Sequence, residues 1–215
     1  MRILVADDHG IVREGLRSLI EKIDGMEIVA EAEDGVTAIS LTEEHRPDIV
    51  VMDVTMPNLN GIEATRQIVQ KVPGTKVIAL SMHAEGHIVK GILDAGASGY
   101  VLKSYLFDEL SRALNAVASG GYYLSPRVTD LLMHDWLHQG DKPAEPLAEE
   151  LTSRERQILQ LTAEGKTVKE IALVLDISAK TIHSNRHALM DKLGVSTVAE
   201  LTKYAISRGL TSVEF

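Results

Sequence analysis

The sequence predicts two architectures in succession. The first is an α/β domain, a (βα)5 doubly wound parallel sheet over residues 1–120; the second is a small all-α four-helix helix-turn-helix unit over residues 150–215; residues 121–149 form a linker with one helix. Three observations lead there. Strand-like and helix-like apolar patterns alternate five times before Gly120-Gly121, and such alternation builds a parallel sheet covered on both faces, because right-handed crossovers place the helices there. From Leu151 onward the texture is helical throughout. The charge also divides at this point. Residues 1–150 carry 13 Lys and Arg against 24 Asp and Glu, net −11, whereas residues 151–215 carry 9 against 7, net +2, so the two parts are expected to meet different partners.

A chain of 215 residues is long enough for two domains with separate cores. The absence of Cys excludes disulfides and thiolate metal sites and fits a reducing compartment. No apolar stretch approaches the roughly 20 residues a membrane span needs, and the first apolar run is cut at Asp7, so a soluble cytoplasmic protein with no membrane partner is expected.

The first strand, Arg2–Ala6, ends in Asp7 and Asp8. An amphipathic helix follows, with Ile11, Val12, Gly15, Leu16, Leu19 and Ile20 on one face, then a strand near Glu27–Ala32 and a helix opened by Asp34-Gly35. The run Ile49–Met52 is too short for a helix and reads as a strand buried on both faces; it ends on Asp53. In open α/β sheets ligands bind at the carboxyl edge of the strands, so two apolar runs that both finish in acids imply a shared acidic pocket. The turn Met56-Pro57-Asn58-Leu59-Asn60-Gly61 leads to a helix over Ile62–Val72, capped by Asn60 with Glu63 three residues on. Strand Lys76–Ser81, a helix near Ile88–Ala95, strand Gly99–Lys103 and a helix over Leu106–Ser119 complete the alternation. Met52 and Met82 read as core residues, and His9, at the start of the first helix, as a structural one.

Beyond Gly121, Ser125-Pro126 starts another helix. Val128, Leu131, Leu132 and Trp136 recur along it up to Gln139-Gly140, and a Pro-rich polar stretch, residues 141–146, follows. Thr152 with Glu155, Thr167 with Glu170 and Thr197 with Glu200 are capping-box patterns, and Ser178 caps a further helix at Ala179–Leu193. The two tight joints have the spacing of a helix-turn-helix. With Ile182 as the inward reference and about 100° per residue, Leu189 and Leu193 fall beside it. Lys180, Ser184, His187 and Asp191 point away, and His183 lies at the edge. The exposed face of the second helix enters the major groove in such motifs. His183, Ser184 and His187 are therefore base-reading candidates, and Lys180, Thr181 and Arg186 lie nearer the phosphates.

Asp7-Asp8, Asp53 with Met56-Pro57 and Asn60-Gly61, Ser81, and Lys103 within Gly99-Tyr100-Val101-Leu102-Lys103 resemble the receiver domain of two-component response regulators. Residues 151–209 resemble the LuxR-type DNA-binding domain. Together they resemble the NarL/FixJ family, over all but the linker and the last few residues. The resemblance implies a Mg²⁺ cofactor ligated by Asp8, Asp53 and the backbone carbonyl of Thr55, with Asp7 acting through water. It implies that Asp53 is the phosphoacceptor for a histidine kinase, with Lys103 and Ser81 contacting the phosphoryl group and Ser81 and Tyr100 as the switch pair. His83 and Thr55 stand where family members tune hydrolysis. It also implies that the chain binds double-stranded DNA as a homodimer when active, with RNA polymerase as a further partner, and is not an enzyme. Val198, Leu201, Ala205 and Ile206 on the last helix serve either that self-contact or the core.

The sequence departs from the family pattern in places. Ser104 follows Lys103 where many receivers have Pro, so a trans bond is expected there, since a non-proline cis bond costs about 2.5–4 kcal/mol. The exposed face of the Ala179–Leu193 helix is also poor in fixed charge. Two other functions stay open at this point. A phosphatase of the haloacid type wants a second Asp two residues after the first, where Thr55 stands. A phosphorylation-independent transcription factor would use its receiver only as an interaction module.

Overall fold

The computed structural model describes residues 1–137 and 151–211. The first part runs β1 (Arg2–Ala6), α1 (Gly10–Ile20), β2 (Glu27–Ala32), α2 (Gly35–His45), β3 (Ile49–Asp53), α3 (Gly61–Lys71), β4 (Lys76–Ser81), α4 (Gly86–Asp94), β5 (Gly99–Leu102) and α5 (Leu106–Ala118). All strands pair in parallel, in the order β2-β1-β3-β4-β5, with one further strand outside β5. Every residue of β3 is buried, which is why it reads as an unbroken apolar run rather than an alternating one. One face packs Ile3, Val51, Ile78 and Leu80 against α1 and α5. The other packs Leu4, Val50 and Met52 against α2 and α3, and Ala79 and Tyr100 against α4.

The extra strand, β6 (Tyr123–Leu124), pairs Tyr123 with Gly99 and Leu124 with Tyr100. Two residues carry no periodicity, so the sequence shows only five strands. β6 leads to α6 (Pro126–Leu137), whose Val128 is fully buried in the cluster formed around α4. β5 ends one residue earlier than expected, and Lys103 opens a short 3₁₀ turn, Lys103–Tyr105. The Lys103–Ser104 bond is trans, as expected. The expected helix end at Gln139-Gly140, the Pro-rich stretch and the side chain of Trp136 lie outside the described residues.

The second part holds α7 (Ser153–Ala163), α8 (Val168–Val174), α9 (Ala179–Leu193) and α10 (Val198–Ser207) around a separate core that includes Ile158, Leu161, Ile171, Ile182, Leu189 and Leu201. All three capping boxes form, with reciprocal bonds at Thr152–Glu155, Thr167–Glu170 and Thr197–Glu200. Each satisfies donors that a helix start leaves open. On α10, Leu201 and Ala205 belong to the core, Ile206 is half-buried and Val198 is exposed. None of the described helices is long and apolar enough to cross a membrane.

The two parts are docked. α7 rests on the β3–α3 turn, and the Arg156 guanidinium donates to the buried Glu63 carboxylate at 2.7 Å. Glu63 therefore does not close a capping box at α3; Asn60 alone caps that helix, accepting from the Glu63 N–H at 2.9 Å. The chain just beyond α10 reaches the same place, where the Leu210 carbonyl accepts from Asn60.

Candidate functional site

Strand register assembles the pocket. Ala6 lies beside Met52, so the residues that follow, Asp7 and Asp53, leave adjacent strands side by side. Ser81 ends β4 opposite Leu102, and Lys103 follows it. The turn after β3 is held close by glycine. A Cβ on Gly61 would overlap the Asp53 carbonyl oxygen, and one on Gly35 would overlap that of Leu59. The Gly61 N–H donates to Val54 O at 2.8 Å.

The side chains meet as the acidic strand ends suggested. Asp7 is fully buried and Asp53 nearly so. The Lys103 Nζ lies 2.8 Å from Asp53 Oδ2 and 2.8 Å from Asp7 Oδ2, so one ammonium is shared between two carboxylates. The Thr55 N–H donates to Asp53 Oδ1 at 3.3 Å. Burial pushes the Asp53 carboxyl up to about 7, against the pull of Lys103 and with the repulsion of Asp7 adding to it. Burial alone would lower the Lys103 ammonium, but attraction and hydrogen bonding to Asp53 and Asp7 outweigh it and hold it above its usual value. Two carboxylates in a dry site favour a proton or a cation.

Asp8, at the rim, lies 2.8 Å from His9 Nδ1. His9 precedes α1 but makes no side-chain cap; its imidazole turns to the carboxylates of Asp7 and Asp8. The expectation of a structural rather than catalytic His9 said nothing of this orientation, because helix position does not show which way an N-terminal side chain turns. Ligand atoms of Asp7, Asp8, His9 and Asp53 all lie within 4.8 Å of one another. The three carboxylates supply the hard oxygen donors that Mg²⁺ prefers, so the residues fit that ion.

Ser81 is buried, its Oγ accepting from the His83 N–H at 3.0 Å. Tyr100 is fully buried, and its hydroxyl donates to the His83 carbonyl at 2.7 Å. Burial pushes the phenol up to about 12, against the lowering pull of a bond with Ser81 and with the nearby acids Glu85 and Asp53 adding to it. His83, Thr55, Lys103 and Asp53 line a cavity of about 310 Å³ with His9, Val12 and Met82. Met82 was expected in the core but is 70% exposed: β4 stops at Ser81, and the next residue falls on the pocket's rim.

On α9, Ile182 and Leu189 are buried and Leu193 is half-buried. Lys180, Thr181, His183, Ser184 and His187 are exposed, and Arg186 is half-buried. The His183 and His187 rings meet edge to face at 6.1 Å. The Ser178 hydroxyl caps the helix, accepting from the Thr181 N–H at 3.0 Å. This face stays open while the two parts are docked.

Residues 3–115 match the response regulator receiver domain, and residues 149–205 match the bacterial regulatory proteins of the luxR family. The chain belongs to the LuxR-type response regulators. It is 36% identical to the transcriptional regulatory protein MctR of Rhizobium johnstonii, over 99% of this chain and 96% of that one. It is 34% identical to the response regulator UvrY of Escherichia coli, over 100% and 97%. Among solved structures it resembles RcsB of Salmonella enterica serovar Typhimurium bound to a promoter with a phosphate mimic, with a TM-score of 0.63 and 32% identity over 98% of this chain and 99% of that one. This response regulator is thus a DNA-binding transcriptional regulator of a two-component system, with the parallel-sheet receiver preceding the helix-turn-helix unit.

Sequence reasoning missed Gln160. It lies on α7, is 1% exposed, and bonds to the turn that follows Asp53. Only the structure reveals it: Ile158 to Thr162 are five consecutive buried residues, more than one face of a helix can hide in the core of its own unit.

Proposed function

We propose that Asp53 is the phosphoacceptor through which a histidine kinase controls DNA binding by α9. An Asp53 oxygen attacks phosphorus, the P–N bond of the kinase phosphohistidine breaks, and its electron pair stays on the imidazole nitrogen, leaving an acyl phosphate on Asp53. Asp8, Asp53 and the Thr55 carbonyl would hold Mg²⁺, with Asp7 through water; when bound it neutralises phosphoryl oxygens. Lys103 supplies a fixed positive charge, the Ser81 hydroxyl and Thr55 N–H supply donors, and the buried walls strengthen all three. Tyr100, already turned inward beside Ser81, carries the change to α4 and β5.

The observation that carries this reading is the Lys103 ammonium shared at 2.8 Å between Asp53 and Asp7. A structural ion pair needs one acid; a second buried acid leaves room for a further cation.

In the helix-turn-helix unit, His183, Ser184 and His187 read base edges while Lys180, Thr181 and Arg186 meet phosphates. The net +2 charge of residues 151–215 favours a dimer on a two-fold site over one copy, and a solved structure of RcsB has two dimers on DNA. Residues 1–120 act as receiver, 121–149 as linker and 150–215 as DNA reader, in the cytoplasm, with RNA polymerase as a further partner.

The test is labelling with acetyl phosphate and Mg²⁺. Wild type should take up phosphoryl groups stoichiometrically and Asp53→Asn none; labelling of Asp53→Asn at the wild-type level would remove the assignment.

A further inference from the structure

The DNA-binding unit reaches into the receiver beside Asp53. The Gln160 carboxamide of α7 spans both ends of the β3–α3 turn: Oε1 accepts from the Asn60 N–H at 2.8 Å and from Asn60 Nδ2 at 3.1 Å, and Nε2 donates to the Met56 carbonyl at 2.9 Å. Nε2 also donates to Glu164 Oε1 at 2.7 Å, and Glu164 Oε2 accepts from the Asn58 N–H at 3.5 Å. Asn58, between the two anchors, has φ of 65°, a left-handed conformation that Asn adopts more readily than other non-glycine residues but still at some cost relative to glycine. Thr55, whose N–H is one of two donors to the Asp53 carboxylate among the described residues, directly precedes the braced segment.

We infer that Gln160 is a positioning residue for phosphoryl acceptance: from the DNA-binding unit it braces the strained 56–60 turn and so keeps the Thr55 N–H aimed at Asp53. The inference rests on the reading of Asp53 as phosphoacceptor. It gives docking a role other than masking, since α9 remains exposed in the docked chain. By linkage, ligands that order the pocket strengthen docking, and docking strengthens their binding.

Gln160 differs from Arg156 in touching the turn itself. Arg156 holds the two parts together through Glu63, on α3 beyond the turn, and touches none of residues 55–60 in the hydrogen bonds described. Loss of the brace should therefore slow the chemistry through the turn and, because Asp53 and the Thr55 carbonyl border that turn, raise the Mg²⁺ concentration the reaction needs.

The experiment measures labelling by acetyl phosphate at saturating Mg²⁺ on the full chain, with hydrogen exchange of residues 54–61. Gln160→Leu keeps the helix preference of the side chain, is one atom shorter, and loses both hydrogen-bonding ends. It should label about tenfold more slowly, the rate equivalent of one ordinary hydrogen bond. The end-point at saturating Mg²⁺ should match wild type, whereas partial unfolding would lower it. Exchange at residues 54–61 should rise. Asn58→Gly removes the strain, so in that background Gln160→Leu should cost less, a coupling that general loss of fold would not produce. If Gln160→Leu does not fold, Glu164→Gln, which weakens the hold on Asn58, should slow labelling in the same direction. Wild-type or faster labelling by a folded Gln160→Leu chain overturns the inference and leaves the phosphoacceptor intact. Failure of the wild-type chain to label would overturn both.

Discussion

The acidic pocket and the exposed face of α9 are built in opposite ways. The pocket draws Asp7, Asp53, Ser81 and Lys103 from four strand ends, buries Asp7, Asp53 and Ser81, and ties the half-buried Lys103 to both acids. The α9 face presents Lys180, Thr181, His183, Ser184 and His187 from a single helix into solvent. In the pocket, chemistry is fixed by geometry, and moving any member disturbs the others. On the helix, each side chain acts nearly alone, so its contribution depends on the DNA it meets. Dependence on metal and pH should therefore concentrate in the first region and dependence on salt in the second.

The largest separation should come from the cores. Leu189→Ala leaves a cavity beneath α9 and should destabilise the four-helix unit by about 2–5 kcal/mol. Thermal melts followed by circular dichroism should show this unit melting early, with DNA binding lost and labelling of Asp53 still detectable. A single transition shifted as a whole, with labelling lost together with DNA binding, would mean that the two cores are not separate.

Next is a stability change in the pocket. Between the usual 3.8 and about 7, Asp53 is protonated in the folded chain and ionised in the unfolded one, because burial raises its pKa more than Lys103 lowers it. Folding then binds a proton, and stability falls as pH rises through that window. In Mg²⁺-free buffer at pH 8, Asp53→Asn should exceed wild type by about 2–4 kcal/mol in urea titrations. The advantage should shrink as pH falls through 7 toward 4, and Mg²⁺ should stabilise wild type only. A variant less stable than wild type at pH 8 would contradict the burial argument.

Lys103→Gln should slow labelling about tenfold by removing a charge-assisted contact. The DNA affinity of the unmodified chain should not change, which a gel-shift titration checks. The smallest effect belongs to the helix face. Phosphates favour protonated imidazole, so DNA affinity should grow as pH falls from about 8 to 6, with a steeper salt dependence at the lower pH. His183→Gln with His187→Gln should flatten both trends by less than about 1 kcal/mol in affinity, measured by fluorescence anisotropy at two salt concentrations. Equal salt slopes in wild type at both pH values would sink that proposal.

Much of this was legible in the sequence, for physical reasons that also mark the limits. Asp53 stood out because two apolar strands both finish in acids, which one strand-end carboxylate would not have shown, and the capping boxes stood out because their chemistry is local. Met82 misled because apolar character does not reveal where a strand stops. β6 escaped because two residues have no period. Gln160 escaped because its bonds cross from α7 to Met56 and Asn60, and nothing local records a contact between distant segments. The orientation of His9 is of the same kind, set by where Asp7 and Asp8 come to lie.

The central claim is that chemistry at Asp53 changes what α9 does. It is tested most directly by DNA affinity of the full chain with and without beryllofluoride plus Mg²⁺, in wild type and in Asp53→Asn. The account predicts that the mimic tightens binding by wild type several-fold, on the order of 1 kcal/mol, and leaves Asp53→Asn unchanged. Equal affinities in all four conditions, or the same increase in both proteins, would contradict it.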